Sequence, residues 1–308
     1  MKRTLFKKSI VLIGLVIITI AGVLLIPVER PDHFLLASLD KEHRLYQLSS
    51  PKIIIVGGSN TIFNINSQSI SNSTGYPVAN MGLHAGLGLM FMLNEIEPAV
   101  DQGDIIIIMP EYAQFFRDLF FGGRIVTRLL SLNPQFIRHI TTRQQIFEIM
   151  KGLGLETRSK IVYLFGQSVD EETYSRSAFN EFGDLKAELV GNLPLAKLAS
   201  ETYEIRQMGE INKAAIIELN DFYSRMQASG ANVYLALPAV PIERYSENRD
   251  EINDLYQYLK ENLNIPILFK PRIALAPATD FFDTFYHLNT NGRERYTEIL
   301  LRYLPLNR

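Results

Sequence analysis

Apolar residues along the chain fall into two patterns. Apolar runs at 53–56 (IIIV), 105–109 (IIIIM) and 233–237 (VYLAL), with others at 78–79 and 266–269, predict strands, the unbroken 105–109 run one buried on both faces. Between them, apolar residues recur at helical spacing. Leu89, Met92, Leu93 and Ile96 mark one amphipathic helix, and Ile211, Ala215, Leu219, Phe222 and Met226 a second. Ile252, Leu255, Leu259 and Leu263 line a third, and Tyr296, Ile299, Leu300 and Tyr303 a fourth. Pro98 helps to end the first, Gly230 stops the second, and Asn289 and Asn291 are placed to cap the last. Strands alternating with helical or turn-rich crossovers predict an α/β fold with a parallel sheet covered on both faces.

The amino terminus follows neither pattern. Residues 1–9 form a basic tail with Lys2, Arg3, Lys7 and Lys8, and residues 10–28 are uncharged and apolar. As a helix that run spans roughly 27 to 30 Å, the thickness of a bilayer's hydrocarbon layer. It is too long for a typical signal-peptide core and no small-x-small cleavage site follows, so the expectation is one uncleaved transmembrane signal anchor. The positive charges before it place the amino terminus in the cytoplasm and the rest on the exocytoplasmic, periplasmic or extracellular, side. Residues 29–51 then read as a juxtamembrane connector with His33 and His43 solvated, and 52–308 as the folded domain. Within that domain, 113–207 loosens into helical segments at 124–132, 143–152 and 160–165. This mainly helical insertion is long for a simple crossover and suited to cap or line a site. His139, on a helix within it, is given a structural role.

Composition narrows the chemistry. A net charge of -2 over 308 residues gives no electrostatic reason to expect nucleic acid. The absence of cysteine excludes a thiol nucleophile, disulfides and cysteine-ligated zinc. Five scattered histidines show no HExxH spacing, and neither GxGxxG nor a Walker pattern occurs, so no metal and no cofactor is expected.

Two stretches carry reactive groups. After the first strand, Gly57-Gly58-Ser59-Asn60 turns sharply and sets the Ser59 hydroxyl at the carboxyl edge of the sheet, a candidate nucleophile. Ahead of the last helix, Asp283-Thr284-Phe285-Tyr286-His287 puts a carboxylate four residues before a histidine. A serine hydroxyl needs a base to take its proton, and a carboxylate fixes the tautomer of that base and steadies its positive charge.

The spread of GGSN, Asn80-Met81-Gly82 and the Asp283/His287 pair resembles the SGNH, or GDSL-like, hydrolase superfamily over about 52–112 and 208–304. The phrases NMGLHAGLGL, IIIIMPEY and DTFYHLNTNGR look like its bacterial membrane-anchored branch, similar in layout to envelope proteins that add or remove acyl groups on polysaccharides. The resemblance implies a three-layer α/β/α sandwich with a central parallel sheet. It also implies Ser59 as nucleophile, His287 as base and Asp283 as its partner, with Asp280 the fallback. The oxyanion would be held by the backbone N–H groups of Ser59 and Gly82. Two departures stand out. The family's late spacing is Asp-x-x-His, which would put Thr284 where the acid belongs. The third block should offer an asparagine where this chain has Pro110-Glu111-Tyr112, leaving one oxyanion donor unassigned, with Asn60, Tyr112 and His84 as substitutes. His84, Glu111 and Tyr112 are possible pocket residues. The function implied is a serine esterase or O-acyltransferase acting on acyl, above all acetyl, esters of an envelope or exported glycan. Its partners would be that acylated glycan, the lipid bilayer through 10–28, and envelope polysaccharide machinery. The alternative is a catalytically degenerate module that binds glycan or a partner in such an assembly.

Overall fold

A computed structural model of the chain describes residues 31–165, 174–190 and 209–306, together with a few isolated positions before Pro31. Most of the expected transmembrane run lies outside the described residues. Among those described, no helix is long and apolar enough to cross a membrane.

The fold is α/β around a parallel sheet of four strands. β1 (Ile53–Gly57), β2 (Val78–Asn80), β3 (Ile105–Met109) and β4 (Asn232–Leu235) are ordered β2-β1-β3-β4. Ile53 stands beside Val78 on one side and Ile105 on the other, and Ile105 stands beside Asn232. Every residue of β1 and β3 is buried, as unbroken apolar runs require. Chain order and strand order together set the site. From β1 the chain passes through α2 (Ser59–Asn64) and α3 (Ser67–Thr74) to β2 on one side, then through α4 (Leu89–Ile96) to β3 on the other. Connections therefore leave β1 and β3 in opposite directions. The carboxyl ends of such a pair bound the crevice where open α/β sheets bind ligands. Ser59 follows β1 and Glu111 follows β3, so both stand at that crevice.

The other elements follow the apolar spacing with some differences. α7 (Lys213–Ala228) buries Ala215, Ile216, Leu219, Phe222 and Met226, and Gly230 turns the chain after it at φ 83°. α9 (Arg249–Asn262), which follows the short α8 (Ile242–Glu247), buries Ile252, Leu255 and Leu259. α10 (Thr290–Tyr303) buries Tyr296 and Leu300 and is capped by the Asn289 side chain on the Gly292 N–H at 3.1 Å. The run at 266–269 makes only one parallel bridge, between Ile267 and Leu235. A second, two-stranded sheet pairs β5 (Val240–Pro241) with β6 (Leu275–Ala276).

Two regions differ more. Residues 31–51 are not a free connector. α1 (Ala37–Gln47) packs on the body with Leu35 and Leu45 in the core, and His33 is buried, its ring accepting the Leu35 N–H at 3.2 Å. Lys41 is buried too, donating to Asn80 O at 2.9 Å and to Gly183 O, with its ammonium 4.4 Å over the Phe179 ring. Burial lowers its pKa to about 7 against the pull of Asp184, Glu95 and Asp40. In the insertion, α5 (Arg124–Leu132) is followed by a single 22-residue helix, α6 (Arg143–Leu164), where two shorter ones were expected. Thr142 and Gln145 form a capping box at its start. Gly152 lies within it where α5 packs close: a Cβ there would lie 2.4 Å from Thr127 Oγ1.

Candidate active site

The two glycines after β1 are space requirements. A Cβ at Gly57 would lie 2.3 Å from Met109 O, and one at Gly58 2.7 Å from Glu111 Oε1. Only glycines let the chain leave β1 beside the end of β3 and enter α2 at once, with Ser59 as its first residue.

The last loop comes to meet it. Phe282 N–H donates to His287 O at 2.7 Å and Asn289 N–H to Asp280 O at 2.7 Å, closing 280–289 on itself. Leu288 N–H donates to Asn64 Oδ1 at 2.8 Å, fastening the loop to α2. His287 Nε2 lies 2.8 Å from Ser59 Oγ, although the two are 228 positions apart, and His287 Nδ1 lies 2.6 Å from Asp283 Oδ1. The Phe63 ring stacks on the imidazole, centroids 3.9 Å apart and planes within 5°. With Nδ1–H given to Asp283, Nε2 accepts from the serine hydroxyl.

Asp283 has a second partner that nothing in the sequence pattern signals. The Tyr174 hydroxyl, from the insertion, donates to Asp283 Oδ2 at 2.7 Å. Burial alone would raise the Asp283 pKa, but the bonds from His287 and Tyr174 outweigh it and hold the carboxyl below its ordinary range. Burial and the neighbouring carboxylate push the Tyr174 phenol up. The fallback acid, Asp280, instead pairs with Arg295.

Three of the groups expected around an oxyanion, from Gly82, Asn60 and Tyr112, are engaged elsewhere. The Gly82 N–H donates to Asn80 Oδ1 at 3.0 Å, and Gly82 packs so close on Thr61 that a Cβ would lie 2.5 Å from its Cβ. The Asn60 side chain is buried and donates to Met109 O at 3.1 Å. Tyr112 turns into the core, its N–H donating to the Tyr286 hydroxyl at 3.0 Å. Ser59, as first residue of a helix, has no carbonyl one turn earlier to take its N–H. Glu111 does reach the site, with Oε1 3.2 Å from Ser59 Oγ and its carboxyl accepting the Asn60 backbone N–H.

Ser59 and His287 open into a cleft of about 380 Å³ lined also by His84, Phe63, Tyr174, Arg124 and Arg128. Phe34 and Leu35 complete one wall, so the supposed connector contributes to the site. His84 is fixed by accepting the Gly86 N–H at 2.9 Å. Among the described residues no cluster of three or more histidine, aspartate or glutamate side chains is placed to hold a metal ion. No protein-family model matches the chain, and no curated protein sequence matches it.

Proposed function

We propose that the chain is a membrane-anchored serine esterase or O-acyltransferase of the SGNH type, a three-layer α/β/α sandwich held by its amino-terminal apolar run at the exocytoplasmic face. The reading rests on one observation: Ser59 Oγ, His287 and Asp283 stand in hydrogen-bonded series, 2.8 and 2.6 Å apart, at the sheet's switch-point crevice. In this arrangement His287 takes the Ser59 proton as Oγ attacks an ester carbonyl, and Asp283 balances the imidazolium that results. The acyl group passes to Ser59, and His287 returns the proton to the departing alcohol. Water or a sugar hydroxyl, activated by the same imidazole, then resolves the acyl-enzyme. A partly aromatic cleft flanked by basic side chains suits a short acyl group on a glycan, the substrate class that the resemblance implies. A serine-reactive fluorophosphonate probe tests the reading: it labels the folded protein, and Ser59→Ala abolishes the label.

A second reading has its own support. The Gly82 and Asn60 groups that would hold an oxyanion are occupied within the protein, which fits a degenerate SGNH-like module that binds an envelope glycan or an assembly partner. That reading predicts a folded protein that takes no label.

A further inference from the structure

The Ser59 hydroxyl has one hydrogen, yet its oxygen stands within bonding distance of His287 Nε2, at 2.8 Å, and of Glu111 Oε1, at 3.2 Å. His287 commits its Nδ1 hydrogen to Asp283, so the neutral ring offers a lone pair at Nε2 and takes the serine hydrogen. An ionised Glu111 would then face Ser59 Oγ lone pair to lone pair. A carboxylic acid donates to it instead, and every hydrogen bond runs one way, from Glu111 through Ser59 and His287 to Asp283. The surroundings agree with a neutral acid. Glu111 is buried, and no lysine or arginine among the described residues forms an ion pair with it. Burial pushes its carboxyl above the ordinary range, against weaker pulls from His287, the Asn60 N–H and the Ser59 hydroxyl. Among the described residues, His287 is the one ionisable neighbour whose charge bears on Glu111. Its backbone is fixed by Glu111 N–H donating to Gln114 Oε1 at 3.0 Å, and the bare Cα of Gly58 leaves room for Oε1.

We propose that Glu111 works as a neutral carboxylic acid that donates a hydrogen bond to the oxyanion, supplying the donor that Asn60 and Gly82 do not. The inference rests on the reading of Ser59 as nucleophile. As the bond from Oγ to the carbonyl carbon forms, the serine proton passes to His287 Nε2 and the carbonyl π pair moves onto oxygen. The Glu111 O–H swings its hydrogen bond from Oγ to that oxygen, and the proton stays on Glu111. When the carbonyl re-forms, the bond to the leaving alcohol breaks and that oxygen takes the proton from His287. A carboxylic acid kept neutral by its apolar surroundings is a competent oxyanion donor.

The test uses the full chain and two readouts. Fluorophosphonate labelling rates are measured against pH for wild type, Glu111→Gln and Glu111→Leu. The wild-type rate falls at alkaline pH as Glu111 ionises. Glu111→Gln, whose amide N–H can donate, stays within about tenfold and loses that fall, while Glu111→Leu slows by about 100-fold to 1,000-fold, the effect of one lost oxyanion donor. A leucine variant that labels at the wild-type rate, or an alkaline fall that persists in the glutamine variant, overturns the inference and leaves Ser59 as nucleophile. No label on wild type overturns both. The second readout is the infrared C=O stretch of a protonated carboxyl at neutral pH. It is taken as the difference between wild type and Glu111→Gln, so that buried Glu95, itself raised to about 7 by burial, cancels. Absence of a difference band overturns the proposal whatever the activity.

Discussion

Replacing Asp283 by asparagine keeps the size and shape of the loop and removes one charge, which makes its effect calculable. Asp283 Oδ1 lies 2.6 Å from His287 Nδ1, so the charge centres of an imidazolium and this carboxylate are about 4 Å apart. At an effective dielectric near 20 that pair is worth about 4 kcal/mol. The Asp283 side chain is 24% exposed, and solvent screening brings the figure to about 3 kcal/mol. In the proposed mechanism this stabilisation exists only once His287 has taken the serine proton, so it would lower the barrier and not the ground state. The expected loss is then about 100-fold to 200-fold in labelling rate. Asp280→Asn is the internal control. Its carboxylate pairs with Arg295, not with the imidazole, so its labelling rate should stay within about threefold of wild type once folding is verified. Pseudo-first-order labelling at neutral pH, with circular dichroism on each variant, makes the comparison. Equal rates for Asp283→Asn and wild type, or a greater loss from Asp280→Asn than from Asp283→Asn, would refute the assignment of the acid.

Tyr174→Phe removes a hydrogen bond to a charged acceptor, worth about 1.5 to 3 kcal/mol, part of which water recovers, so labelling should slow by about tenfold; an unchanged rate would make Tyr174 a bystander. Asp104→Asn removes the charge beside the Lys52 ammonium, which is 2% exposed and 2.7 Å from Asp104 Oδ2, and leaves it the Ser50 hydroxyl at 2.8 Å and Asp101 Oδ2 at 3.9 Å; the loss should be about 3 kcal/mol in urea unfolding, and one below about 1 kcal/mol would contradict the buried pair. Because the folded Asp283 pKa lies below its unfolded value near 3.9, its contribution to stability is full above that value and is lost as pH falls through the folded pKa. Between pH 5 and pH 2, wild type should therefore lose more unfolding free energy than Asp283→Asn, and parallel losses would contradict the depressed pKa.

The strands were legible because strands buried on both faces need unbroken apolar runs, and few other structures produce IIIV or IIIIM. The parts that escaped do so for stated physical reasons. α2 and α3 are rich in serine and asparagine, which suit caps better than helix interiors. They form because Ile62, Phe63 and Ile70 are buried, Asn66 caps the Ser69 N–H at 3.0 Å, and Gly75 ends α3 at φ 76°. α1 reads as a connector because its stretch is mixed and charged, whereas Lys41 and Glu42 within it are buried against specific partners. At the site, Ser59, Asp283 and His287 were legible as residue types in separate blocks. Tyr174 was not, since it lies 109 positions from Asp283 in a polar stretch with no pattern. Glu111 was visible as a pocket residue, but its bond to Ser59 depends on a burial that spacing does not report.

The serine and the histidine meet because one short helix addresses the imidazole twice. Ser59 and Phe63 are four residues apart, so one helical turn puts the hydroxyl and the phenyl ring on the same face. The hydroxyl bonds Nε2 while the phenyl lies flat on the ring. The next residues lock the far end. Asn64 Oδ1 accepts the Leu288 N–H, Phe63 O accepts from the buried Arg293 guanidinium at 2.7 Å, and Asn66 N–H donates to Thr297 at 3.0 Å. The same Arg293 donates to Leu185 O at 2.8 Å, and neighbouring Asp184 takes the Ser67 hydroxyl at 2.6 Å and the Asn80 amide at 2.8 Å. Residues 174–190 of the insertion thus hold α2, β2 and the acid of the last loop at once. They are a structural part of the constellation, and moving them displaces Asp283 and α2 together.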